Sequence, residues 1–184
     1  MDITVITPSI PGRVHMLAEC IESIKAQEYQ PVKHLYQIDS DYRGPAWTRN
    51  RLVDKTDSGW ISFLDDDDLA LPMHLLTHSE CETSDVIFSW GEAVHPDGGR
   101  KLFDSSYNPE RILSGHNTIP VTATVRTELF REVGGFSETE RFEDWHLWKK
   151  LIQYGARFTC IEQVTWEYRV NHGIDSRNEK EWTN

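Results

Sequence analysis

Four consecutive aspartates, Asp65 to Asp68, follow the apolar run Trp60 to Leu64. Carboxylates packed this densely repel one another unless a cation sits among them. Hard oxygen donors suit Mg²⁺ or Mn²⁺, which commonly bind through one or two carboxylates together with the phosphates of a substrate. The preceding run is β-branched and aromatic and reads as a buried strand, so the acids leave a sheet at its carboxyl edge, where open α/β sheets place their ligands. A solvated acidic turn has the same bare sequence. Placement directly after a strand is what sets the ligand reading beside it.

The elements that must position these acids alternate along the chain. Ile3 to Thr7 reads as a first strand, broken by the turn residues Pro8 to Gly12. From Arg13 to about Gln27 the apolar positions Leu17, Ile21 and Ile24 recur at helical spacing. Val32 to Ile38 is a second strand, ending at Asp39-Ser40-Asp41. After Gly44-Pro45 a second helix carries Trp47, Leu52 and Val53, and the strand that ends at the aspartates follows. Leu71-Pro72 opens a third helix and Val86 to Trp90 is a fourth strand. This order is that of a parallel, doubly wound sheet.

The second half reads differently. Pro96 to Gly99 is a turn signal for an antiparallel hairpin or return loop, and residues 100 to 117 read as polar and irregular. Ile119 to Val125 reads as a strand and Glu128 to Val133 as a short helix that ends at Gly134-Gly135-Phe136. A helix from near Phe142 carries Trp145, Trp148 and Ile152 and stops at Gly155, and Arg157 to Val170 reads as one or two strands.

Bulk properties narrow the classes. The 184 residues suit one domain with a single substantial core. No apolar stretch approaches the ~20 residues of a membrane span, and the N-terminus lacks a basic, apolar and small-residue leader pattern, so a soluble cytoplasmic protein is expected. Cys20, Cys81 and Cys160 lie far apart and form no CxxC pair, which reads as reduced, mostly buried thiols. The net charge of -11 disfavours a broad nucleic-acid or anionic-lipid footprint. Seven tryptophans are many for this length, and most are expected in the core.

The ordered set Ile3 to Ser9, Cys20 to Ile24 with Gln27, Thr48-Arg49-Asn50, Phe63 to Asp68, Val133 to Phe136 and Phe142 to Trp145 resembles a family 2 glycosyltransferase of the GT-A fold. The resemblance runs from residue 3 to about 172. It implies an α/β, Rossmann-like, mixed but mainly parallel sheet flanked by helices in a single domain over 1–184. Residues 1–95 would hold the nucleotide sugar, 96–172 would face the acceptor, and 173–184 would be a polar tail.

By the same resemblance, Asp65 to Asp67 correspond to the DXD motif. Asp67 would be the principal ligand of Mn²⁺ or Mg²⁺, and Asp65 or Asp66 the ribose or accessory metal group. Thr7, Pro8, Ser9 and Asp39 would contact base and ribose, and Arg13 and Arg49 are the nearby cations for base or phosphate. The acidic stretch after strand two is thinner than the family's, which leaves Asp41 without an assigned role. Glu143-Asp144 matches the late acidic pair, with Asp144 as the base that takes the acceptor's proton and Glu143 as an acceptor or sugar contact. Acids capping a helix would look the same. His172 matches a late histidine that completes the metal site or touches the diphosphate.

The resulting expectation is a metal-dependent, inverting, non-processive transferase that moves one sugar from a nucleoside diphosphate sugar, UDP foremost, to a hydroxyl acceptor. That acceptor would be a saccharide, a lipid-linked sugar, a protein or a hydroxylated DNA base, the last disfavoured by charge. The membrane-synthase QxxRW motif is absent. Two other classes stay open: a phosphoryl- or nucleotidyl-transfer enzyme, which also uses strand-end aspartates, and a sugar-nucleotide-binding module without turnover.

Overall fold

A computed structural model of the chain describes residues 1–170. The strand β1 (Ile3–Ser9), paired in parallel with β2 (Lys33–Ile38) and β3 (Trp60–Phe63), has all seven residues buried because helices cover both of its faces. Strands covered on both faces read as near-continuous apolar runs, as this one does. Alternate side chains of β1 enter opposite layers. Ile3 and Val5 pack with Cys20 and Ile24 of α1 (Val14–Lys25), whereas Ile6 packs with Leu52 and Val53 of α2 (Pro45–Val53).

The acids are followed by a two-residue strand, β4 (Leu69–Ala70), which sequence periodicity passed over, and α3 begins later than Leu71-Pro72, at His74, running to Ser79. Beyond it, β5 (Val86–Val94) does not lie beside β3. The strand β7 (Ala123–Arg126) sits between them, antiparallel to both, so the purely parallel progression ends after β3. The hairpin expected at Pro96 to Gly99 is present, joining β5 to β6 (Arg100–Phe103).

The stretch 100–117 is more ordered than its polarity suggested. Besides β6 it holds α4 (Pro109–Ser114), capped by Asn108, whose side chain accepts from the Arg111 amide at 2.9 Å, and anchored by fully buried Ile112. Asn108-Pro109-Glu110 is a helix-start signature in a short, otherwise polar window. The strand expected from Ile119 starts only at Ala123. Pro120 has no amide to donate, and the Ile119 carbonyl accepts instead from the indole of Trp148 at 3.1 Å.

Next come α5 (Thr127–Glu132) and α6 (Glu143–Tyr154), and α6 buries Leu147, Trp148 and Leu151 against the layer that holds α2. The last strand, β8 (Phe158–Arg169), runs parallel to β5 with register shifts around Trp90. At Gly91 a Cβ would stand 2.5 Å from the Trp166 ring, so only glycine lets that indole lie across β5. The end of β8 also pairs with β4, which brings Arg169 back to the aspartates. The eight strands form one mixed sheet in the order β2-β1-β3-β7-β5-β8-β4, with β6 on β5. No helix among the described residues is long and apolar enough to cross a membrane.

Candidate active site

The four aspartates alternate. Asp66 and Asp68 point inward, each 3% exposed, whereas the side chains of Asp65 and Asp67 keep 30% and 18% of their surface open. The loop therefore presents Asp65 and Asp67 outward as a pair one residue apart.

Inward-facing Asp66 accepts from the Ser9 hydroxyl at 2.6 Å and from Arg13 at 3.2 Å, and Arg13 also reaches Asp67 at 2.7 Å. Ser9 is the last residue of β1 and Arg13 precedes α1, so the first strand–helix turn closes onto the acids. Arg49, 2% exposed on α2, holds two carboxylates at once: Asp65 at 2.5 Å and Glu143 at 2.9 Å. Its guanidinium also lies 5.2 Å from the centre of the Phe136 ring. Neighbouring Asn50 grips the backbone of that same residue, donating to the Phe136 carbonyl and accepting from its amide, both at 3.0 Å. A Cβ on Gly135 would come within 2.8 Å of the Asn50 oxygen. The Gly-Gly-Phe turn is thus the cap of α5 and the seat of α2.

Asp144 stands beside Glu143 at the start of α6 and accepts from the Asn117 side-chain amide at 3.0 Å. Burial pushes its pKa up to about 6, opposed by a hydrogen bond from the Trp145 backbone amide, with Glu143 adding to the rise and Arg49 and Asn117 also opposing it. Asp67 is likewise raised to about 6, by burial and then by Asp65. Burial also raises Asp66, and raises Asp68 well above the usual carboxylate range. For Arg49 burial disfavours the charge, but Asp65 and Glu143 outweigh it and the guanidinium is held more firmly protonated.

The structure brings Ser9, Arg13, Arg49, Asp65, Asp66, Asp67 and Glu143 into one network, with Asp144 at its edge. Other expected residues face elsewhere. Thr7 is fully buried, its hydroxyl 3.0 Å from His34 Nε2, and Pro8 is buried beside it. Asp39 accepts from the Gly44 amide at 2.8 Å and so braces the turn into α2. His172 lies outside the described residues. Sequence reasoning missed Arg169, which donates to the backbone carbonyls of Asp67 and Asp66 and pairs with Glu19. Only the β4–β8 pairing reveals it. Asn117 was missed too, for want of any local signal.

Among the described residues, no three His, Cys, Asp or Glu side chains form a complete metal cage. The donor set nonetheless fits an ion that takes one or two carboxylates and completes its shell with phosphate and water. Six carboxyl groups, Asp65 to Asp68, Glu143 and Asp144, meet three guanidiniums, Arg13, Arg49 and Arg169; even with buried Asp68 held protonated, acids outnumber cations in the cluster that outward-facing Asp65 and Asp67 front.

No protein-family model matches the chain. It is 22% identical over 159 residues to an uncharacterized glycosyltransferase of Methanocaldococcus jannaschii, covering 81% of this chain and 55% of that protein. Its structure superposes on S. aureus TarS residues 1–349 in complex with UDP-GlcNAc with a TM-score of 0.73 at 17% identity, covering 95% of this chain and 60% of that one. A Pyrobaculum calidifontis mannosyltransferase in complex with GDP-Man and Mn²⁺ matches with a TM-score of 0.64 at 14% identity, over 96% and 58% of the two chains. The chain thus spans less than two thirds of the length of each of these proteins, and it has their GT-A fold.

Proposed function

We propose that this GT-A chain is a glycosyltransferase that moves one sugar from a nucleoside diphosphate sugar, UDP-linked first among the candidates, to a hydroxyl acceptor with inversion. The observation that carries the reading is Arg49. One buried guanidinium joins Asp65, from the acidic loop after β3, to Glu143, from the acid pair that opens α6. A donor-side and an acceptor-side carboxylate motif, far apart in sequence, are thereby held one side chain apart, which is what a transfer between two bound substrates requires.

In this reading residues 1–95 hold the donor and 96–172 face the acceptor. Ser9 and Arg13 brace the acidic loop from the β1 side, and base and ribose would bind over the carboxyl ends of β1 and β2, where Asp39 braces the turn into α2. Asp67 and Asp65 would hold Mn²⁺ or Mg²⁺, which would supply positive charge to the departing diphosphate. Asp144 accepts the proton of the acceptor hydroxyl while that oxygen bonds to the anomeric carbon and the bond to the diphosphate breaks. A carboxylate raised to about 6 is a better base than an ordinary aspartate and is still largely ionised at neutral pH. Glu143, tied to Arg49, adds negative charge beside it.

Calorimetric titration with UDP, GDP, CDP and dTDP, with and without Mn²⁺, tests the site. Metal-dependent binding of one nucleotide, weakened about tenfold or more by Asp67→Asn, is expected. Mn²⁺-dependent affinity that survives the substitution would remove Asp67 as a ligand. Binding of none of the four would turn the reading toward phosphoryl transfer.

A further inference from the structure

Asn117 lies in the segment between α4 and β7, which neither the aspartate loop nor α6 includes. Its side chain is held at both ends. The carbonyl oxygen accepts from the Ile119 amide at 3.1 Å, and the amide nitrogen donates to Asp144 Oδ2 at 3.0 Å. The first bond orients the side-chain amide, because with Oδ1 committed to a backbone donor the NH₂ group must face the acid. The second takes up one carboxylate oxygen and leaves Oδ1 of Asp144 without a side-chain donor among the described residues. The segment itself is pinned close by: Trp148 donates to the Ile119 carbonyl and Trp145 to that of Ile112. Asn117 therefore reaches Asp144 from a braced backbone.

We propose that Asn117 is a positioning residue for the proton-accepting carboxylate: it fixes the orientation of Asp144 and stabilises its ionised form, so that the oxygen not bonded to Asn117 faces the acceptor hydroxyl. This rests on the function proposed above. The charged groups that face Asp144 are Glu143, its neighbour on α6, and Arg49 from α2; they act in opposite senses, and two neutral donors, the Trp145 backbone amide and the Asn117 side chain, favour the charged form. A hydrogen bond to the ionised state lowers a carboxyl pKa, so its loss moves the titration upward.

The experiment follows the Asp144 carboxyl directly, by ¹³C NMR of side-chain-labelled aspartate across about pH 4 to 8, which brackets its raised pKa of about 6. The Asp144→Asn spectrum assigns the signal. Asn117→Ser keeps a short acceptor for the Ile119 amide and cannot reach Asp144, and Asn117→Asp keeps the shape but sets a second carboxylate against the first. The midpoint should rise by about half a pH unit in the serine variant and further in the aspartate variant. Release of UDP from UDP-GlcNAc with Mn²⁺ and water as acceptor should show its acid limb displaced by the same amount. A midpoint unmoved in both variants, or a rate reduced by one factor at every pH, would overturn the proposal and leave Asn117 as a loop brace. If the midpoint moves while Asp144→Asn releases UDP at the wild-type rate, it is the base assignment that fails.

Discussion

The acid cluster at the ends of β1 and β3 and the histidine network beneath α3 are both buried and polar, but only the first is charged. In the second, His74 Nδ1 lies 2.7 Å from the Thr165 hydroxyl, which lies 2.6 Å from that of Ser89. Ser89 Oγ is 3.3 Å from His78 Nε2, His78 Nδ1 is 2.8 Å from Thr124, and Thr124 donates to Ser62 at 3.0 Å. The chain of bonds crosses from α3 through β8, β5 and β7 to β3. Burial holds both imidazoles neutral, with His74 lowered to about 4 and His78 well below its ordinary value. Such a network pins a helix to a sheet through neutral groups. The acid cluster has more carboxylates than guanidiniums, and Asp66, Asp67, Asp68 and Asp144 are pushed up in pKa, the signature of a site whose charge is balanced only when something cationic arrives.

The largest expected effect comes from the neutral network. His78→Ala removes a fully buried ring and a partner of Thr124 and Ser89, and should lower unfolding stability by about 4 kcal/mol in urea titrations while leaving Mn²⁺-dependent nucleotide affinity unchanged. A comparable loss of affinity would mean that the two regions are coupled. Next is Arg49→Met, which strands Asp65 and Glu143. It should cost about 3 kcal/mol, the low end for a broken buried pair because both acids reach water, and unlike His78→Ala it should weaken nucleotide binding as well.

Asp144→Asn should lower transfer about a hundredfold with stability and nucleotide affinity nearly intact, as single-turnover rates and calorimetry would show. Near-wild-type transfer would dissolve the distinction between the regions. The smallest effect is in acid. Unfolded chains protonate His74 near its ordinary 6.5 and the folded protein only near 4, so the stability due to this residue is whole above 6.5. It drains as pH falls toward 4, by about 2 kcal/mol between pH 7 and 5. Asp144, raised to about 6, titrates in the opposite sense and gains stability as pH falls through that value. The difference between wild type and His74→Gln in urea unfolding at the two pH values isolates the histidine, and no pH dependence in that difference would show that His74 is already charged in the fold.

Much of the fold was legible because its cues are local. The apolar runs of β1 and β3, the Gly44-Pro45 start of α2, and the Gly155 stop of α6 all lie within a few residues of what they specify. The polar stretch 100–117 misled because a single buried Ile112 anchors α4, too few apolar positions to give a period. The short β4 and the insertion of β7 beside β3 are pairing facts, which a strand's own residues do not encode. In the site, Asp65 to Asp67 and Glu143-Asp144 stand out as motifs in the sequence, whereas the hydrogen bonds of Thr7 with His34 and of Asp39 with Gly44 do not.

By itself the sequence determined that β1, β3, α2 and α6 form, and that carboxylates would gather at a strand's carboxyl end, since backbone period and turn chemistry act over a few residues. Only the tertiary structure decided which aspartates face outward, that Arg49 would join Asp65 to Glu143, and that Arg169 and Asn117 would hold the acidic loop and Asp144. Those pairings depend on strand order and register, which bring together side chains tens of residues apart, and the burial that shifts their pKa values exists only once the layers have closed.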